Sequence, residues 1–156
     1  MRILTVCLGN ICRSPAAEAA IREEAERRGM QIELDSAGTG AYHVGDPPDP
    51  RMRAAGVATG LQIEGVARKF DVSDFDRFDL ILVMDRQNLA DVLALAPDES
   101  AASKVRMFRS FDPEAASGDL DVPDPYYGGE DGFSDVIGMV RRAAAGLIDD
   151  IEEARL

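Results

Sequence analysis

Arg2-Ile3-Leu4-Thr5-Val6-Cys7-Leu8-Gly9-Asn10-Ile11-Cys12-Arg13-Ser14-Pro15 is the stretch whose reading decides the fold. Arg2 to Val6 is a short apolar run with no polar alternation, the pattern of a parallel strand buried on both faces. Ser14 followed by Pro15 is a helix start, because proline is preorganised for the first helical position and serine caps the turn before it. The spacing predicts a helix over Ala16 to Arg28, with Ala17, Ala20, Ile21 and Ala25 on its apolar face and Gly29 as its stop. Cys7 to Ser14 is then the loop joining a strand to its helix, the first half of a βαβ unit.

The rest of the chain repeats this alternation. Gln31 to Ser36 reads as a second strand, and residues 37–48 as a loop. Asp49-Pro50 starts a helix carrying Met52, Ala55 and Val57. Asp79 to Met84 is another continuous apolar strand, followed by a helix from Arg86 to Leu95 that Pro97 stops. Lys104 to Phe108 reads as a fourth strand and Arg109 to Gly132 as a polar loop. Phe133 to Arg155 is the last helix, with Val136, Ile137, Val140, Ala144, Leu147, Ile148 and Ile151 recurring at helical spacing. Strands alternating with helices imply an α/β fold: one domain over residues 1–156, with a four-stranded parallel sheet flanked by helices on both faces in a Rossmann-like three-layer arrangement. Such sheets bind ligands beyond the carboxyl ends of their strands, where the Cys7–Ser14 loop lies.

Composition narrows the chemistry. A net charge of −12 argues against nucleic-acid or anionic-membrane binding, which needs basic surface. It leaves room for an anion site built from local amides and one or two cations. No apolar run approaches a membrane span, and no signal-peptide pattern opens the chain, so cytoplasmic residence without membrane insertion is expected. Two cysteines and one histidine supply neither a disulfide scaffold nor the ligand set of a structural zinc site, and no metal or cofactor is expected. A nucleophile in this chain must be activated without histidine, since His43 sits in a Gly- and Pro-rich loop.

The loop itself holds what a phosphate group needs. Gly9 allows backbone angles at which amides converge, and the helix start adds about half a positive charge. Arg13 offers a planar fork that grips two phosphate oxygens, which lysine cannot copy. Asn10 tolerates left-handed angles and bonds to backbone, so its expected role is to hold the loop's shape. Cys7 adds a nucleophile. An ordinary thiol is about 3% ionised at pH 7, and a helix N-terminus with a neighbouring arginine favours the thiolate. A less basic thiolate is a weaker nucleophile, but phosphoryl transfer passes through a loose transition state that depends little on nucleophile strength. Ser14 is a further donor toward the sulfur.

Val6 to Pro15, followed by Ala17-Glu18, resembles the signature of the low-molecular-weight protein tyrosine phosphatases. Ser36-Ala37-Gly38-Thr39, Asp49-Pro50-Arg51 and Asp124-Pro125-Tyr126-Tyr127-Gly128 match further blocks of that family in order, so the resemblance spans nearly the whole chain. It implies phosphotyrosine hydrolysis through a cysteinyl-phosphate, with Cys7 as nucleophile, Arg13 as phosphate clamp and Asp124 as general acid and then base. Without the resemblance, Asp124 is one acid among many in an Asp-rich loop. The resemblance also makes Leu8, Gly9, Asn10, Ile11, Cys12 and Ser14 the substrate-binding loop. It makes Tyr126 and Tyr127 one wall of the cleft, themselves open to phosphorylation, and sets Tyr42 opposite. Relatives that act on phosphoarginine carry a smaller Thr where this chain has Ile11, which implies a preference for tyrosine. Two readings of Cys12 stay open: a small packing residue, or a second thiol that captures oxidised Cys7 as a disulfide.

One departure stands out. Many eukaryotic relatives place a histidine where this chain has Gly65, and there it supports the loop asparagine; Ser36 is the expected substitute. Two other functions compete. A thioredoxin-coupled arsenate reductase needs further cysteines to relay a disulfide, and none follows Cys12. A phosphate-binding module without catalysis needs neither Cys7 nor Asp124. The expected partners are phosphotyrosine proteins, with the chain itself a monomer or weak dimer.

Overall fold

In the computed structural model, which describes every residue except Ser117 and the side chain of Glu130, the opening apolar run becomes β1 (Arg2–Cys7). It pairs in parallel with β2 (Glu33–Gly38) on one side and β3 (Leu80–Val83) on the other. β4 (Val105–Met107) extends the sheet beyond β3, giving the order β2-β1-β3-β4. The chain leaves β1 toward β2 and later returns to its other side, so β1 ends at the point where the strand order reverses. There the flanking loops diverge and leave a crevice.

Alternation along β1 and β3 builds two cores. Ile3, Cys7, Leu80, Leu82 and Met84 face a layer made by α1 (Arg13–Arg27), α2 (Pro50–Ala58) and α6 (Glu130–Glu152). Leu4, Val6, Ile81 and Val83 face the other way, against Phe75 of α3 (Asp74–Arg77), Val92 of α4 (Arg86–Leu93) and Ala101 of α5 (Glu99–Ala102). Helices on both faces of a four-stranded parallel sheet are the expected architecture. α6 lies so close to the 3₁₀ turn after β4 (Phe108–Phe111) that a Cβ on Gly146 would stand 1.9 Å from the Phe111 carbonyl oxygen. Only glycine fits there.

Boundaries differ from the sequence reading in instructive ways. α1 begins at Arg13, not Ala16, and Cys12 rather than Ser14 is its capping residue, with no side-chain cap. Pro15 is therefore the third helical residue, where its missing N–H still costs nothing because the first turn's amides have no helical partner. β2 runs on to Gly38. Of the apolar residues named on α2, Met52 is buried and Val57 is 76% exposed. The short α3, α5 and the 3₁₀ turn carry too few residues for a periodic signal. Ser117, in the expected polar loop, lies outside the described residues.

Candidate active site

Cys7 is the last residue of β1, and its buried sulfur looks into the crevice. Two groups approach it: Ser14 Oγ at 3.0 Å and the Asn10 N–H at 3.3 Å. Asn10 takes the left-handed conformation, with φ of 58°, which an asparagine tolerates better than most residues. That turn aims its amide back at the sulfur. Gly9, expected to supply the unusual angles, keeps an ordinary φ. Its missing side chain leaves room instead, since a Cβ there would stand 3.0 Å from His43 Cδ2.

The asparagine side chain is fully used. Its Oδ1 accepts the Arg68 backbone N–H at 3.0 Å, while its Nδ2 donates to Ser14 Oγ at 2.8 Å and Ser36 Oγ at 2.9 Å. A backbone N–H only donates, so the amide has one possible orientation. The serine oxygen accepts from Asn10, which turns the serine hydrogen toward the sulfur. Ser36 thus supports Asn10 where Gly65 supplies nothing, as expected. The Arg68 amide is a second support that sequence cannot show, because a main-chain donor has no residue signature. Thr5 Oγ1 donates to the Ser14 carbonyl at 2.8 Å and pins the start of α1 to β1.

Arg13 is buried. Its Nη1 donates to Asp85 Oδ2 at 2.6 Å and to the Val122 carbonyl at 3.1 Å, and its Nη2 stands 3.6 Å from Asp124 Oδ2. Burial opposes its charge, but the Cys7 sulfur, Asp85 and Asp124 hold its proton more tightly than in a free guanidinium. Asp85 does two jobs, since its other oxygen accepts the Asn88 N–H at 2.7 Å and caps α4. A helix-capping aspartate reads from sequence as only that, which is why Asp85 went unseen. Asp124 is 40% exposed. Its Oδ1 accepts the Tyr126 N–H at 3.0 Å, which leaves Oδ2 toward Arg13.

These groups meet in a cavity of about 490 Å³. Cys7, Leu8, Gly9, Ile11, Cys12 and Arg13 line its floor and rim; Asp124, Tyr126 and Tyr127 stand on one side and Tyr42 with His43 complete the lining. Asn10 and Ser14 do not line it; they act from behind, through the sulfur. Tyr42 and Tyr127 are exposed at the mouth, and Tyr126 is packed by Arg51, whose guanidinium carbon lies 5.3 Å from the ring centre. His43 is the lining residue the sequence reading set aside; its ring lies 5.9 Å from Tyr126 and its Nδ1 3.5 Å from Asp46. Cys12 is a free, buried thiol. Burial first, then Asp49, Cys7 and Asp124, push its pKa up to about 12, so it stays protonated at neutral pH, as a packing residue does.

The low molecular weight phosphotyrosine protein phosphatase model matches residues 2–155. The chain belongs to that family. A low molecular weight protein-tyrosine-phosphatase of Streptomyces coelicolor is 48% identical over 154 residues, 97% of this chain and 94% of that one. The crystal structure of a protein tyrosine phosphatase from Entamoeba histolytica, with Hepes in its active site, superposes with a TM-score of 0.96 at 41% identity, covering 100% of this chain and 99% of that one. An arginine phosphatase, YwlE, in a variant with a phosphorylated active-site serine, is more distant: 25% identity and a TM-score of 0.87, covering 99% of this chain and 98% of that one. Low molecular weight phosphatases are hydrolases, and the crevice described above is where this member's reactive groups converge.

Proposed function

We propose that this chain hydrolyses phosphotyrosine in proteins, and aryl phosphates generally, through a cysteinyl-phosphate. Cys7 Sγ attacks phosphorus while the bond to the phenolic oxygen breaks. Arg13 holds two of the non-bridging oxygens, and its attachment to Asp85 and Val122 keeps the fork aimed without reorganisation. Asp124 donates its proton to the departing oxygen. The same carboxylate then takes a proton from water as that water attacks phosphorus, releasing phosphate and the Cys7 thiolate. Ser14 and the Asn10 amide stabilise the negative sulfur at both ends of the cycle. The observation that carries this reading is the placement of Arg13 between sulfur and acid, 3.6 Å from Asp124 Oδ2.

Leu8, Gly9, Ile11 and Cys12 form the substrate loop in this proposal, and Asn10 and Ser14 shape it. Tyr42, Tyr126 and Tyr127 hold the phenyl ring between apolar faces, and Ile11 narrows the floor in favour of a flat ring over a flexible guanidinium chain. The reading extends to residues 1–156 acting as one domain, because the groups around Cys7 come from α1, β2, the cap of α4 and the segment before α6. Cytoplasmic residence and a monomer or weak dimer complete the proposal. No helix among the described residues is long and apolar enough to cross a membrane.

Hydrolysis of p-nitrophenyl phosphate in the presence of a chelator tests the mechanism. The wild-type chain is expected to turn over and Cys7→Ser to be inactive while still retaining phosphotyrosine peptides; a metal requirement, or full activity in Cys7→Ser, rejects it. Equal retention of phosphoarginine peptides rejects the substrate preference.

A further inference from the structure

The segment carrying Asp124 has no regular structure between the 3₁₀ turn and α6 among its described residues, so single hydrogen bonds place it. The Val122 N–H donates to the Met84 carbonyl at 2.7 Å. Two arginines hold consecutive carbonyls just before the acid: Arg13 takes Val122, and Arg109 Nη1 donates to Asp121 at 3.0 Å. Arg13 also belongs to the anion site. Arg109 does not line the cavity. Its side chain is 11% exposed and stands 3.7 Å from Asp112 Oδ2. That buried carboxylate is gripped from α6 by Arg142 Nε at 3.3 Å. A line of contacts thus runs from α6 through Asp112 and Arg109 to the main chain three residues before Asp124.

We propose that Arg109 is a positioning residue for Asp124, fixing where the carboxylate stands while leaving Cys7 and its loop untouched. The proposal rests on Asp124 as proton donor. Among the described residues, every hydrogen bond and ion pair of the Arg109 side chain lies at Asp112 beside its own turn or in the acid's segment. Its loss therefore loosens that segment while Asp85 still holds Arg13. A displacement of about 1 Å is enough to spoil a proton transfer. Such a fault appears only when the leaving group needs its proton: a phenol as weakly acidic as tyrosine does, and a phenol bearing strong electron-withdrawing groups does not.

Arg109→Met keeps most of the buried stem and removes the fork. Its kcat/KM is expected to fall about tenfold for phosphotyrosine but less than about twofold for an aryl phosphate with a strongly acidic phenol, with inhibition by inorganic phosphate unchanged. Arg109→Lys, which still reaches the Asp121 carbonyl with one donor, restores most of the loss. Arg142→Met loosens Asp112 but leaves the Arg109–Asp121 bond in place, so it lowers the melting temperature and shifts the ratio between the two substrates less than Arg109→Met does. An equal fall on both substrates, or no fall on either, overturns the proposal. If Arg109→Met does not fold, the same ratio is read from Arg109→Gln. Failure of the underlying reading is seen separately, as an Asp124→Ala variant whose leaving-group ratio matches wild type.

Discussion

Two segments meet at the cavity, and they are held in opposite ways. The Cys7–Ser14 loop is buried apart from Leu8 and Gly9, and every hydrogen-bond partner of the Asn10 side chain is a fixed group on α1, β2 or the main chain of Arg68. The segment before α6 leaves Asp124 40% exposed and is held by single hydrogen bonds, among them those made by Arg13, Arg109, the Val122 N–H and the Arg86 N–H. The difference follows from what each must do. A transition-state cradle gains by being preorganised, since any reorganisation adds to the barrier. An acid that must admit a protein substrate, give up a proton and take one back needs solvent and room.

Among the described residues, Arg13 is the side chain bonded into both segments, so its loss is expected to be the largest. Arg13→Lys retains charge but not the fork; kcat/KM is expected to drop by about a thousandfold on every substrate, and inorganic phosphate to inhibit more weakly. A lysine variant within about threefold of wild type would mean that the bidentate geometry is dispensable. Asp124→Ala alters the exposed segment and removes the carboxylate 3.6 Å from Arg13, which keeps its bonds to Asp85 and Val122. Turnover on phosphotyrosine is expected to fall about a hundredfold, with the basic limb of the pH profile lost and phosphate inhibition within about twofold of wild type. Weakened phosphate binding there would show that the two segments are not separable.

Smaller effects test the rigid side. Asn10→Ala leaves the Arg68 amide and two serines without their partner, and the methyl group fits the left-handed backbone poorly. Steady-state kinetics should show about a tenfold loss in kcat, and denaturant unfolding a loss of about 1–3 kcal/mol. Cys12→Ala belongs to the same loop but to none of its hydrogen bonds. Activity within about threefold of wild type is expected; a much larger loss would give that thiol a place in the chemistry.

Sequence reading succeeded where a signal is periodic or local. β1, β3 and α6 announce themselves through apolar runs and helical spacing, and the anion loop through its glycine, arginine and helix start. It failed where one residue serves two purposes. Ser14 is the expected donor toward the sulfur, but it does not cap the helix, which starts earlier. Asp85, which the sequence reading passed over, caps a helix and also holds Arg13. His43 sat in a loop with no pattern and lines the cavity. Asp124 has no local distinction from its acidic neighbours; only the Asp-Pro-Tyr-Tyr block of the family picks it out, because its role comes from a partner 111 residues away in a buried arginine.

The bond from Arg13 to the Val122 carbonyl spans 109 residues, and it orders events on the ribosome. As synthesis proceeds, the nascent chain can complete the surroundings of Asn10 once Arg68 has emerged, and add Asp85 soon after. The acid and both arginine-held carbonyls come much later, and α6, which packs against α1, α2 and the 3₁₀ turn, after them. A chain that has not yet reached Asp124 therefore holds the anion loop but lacks both the Val122 carbonyl and the acid that stand against Arg13.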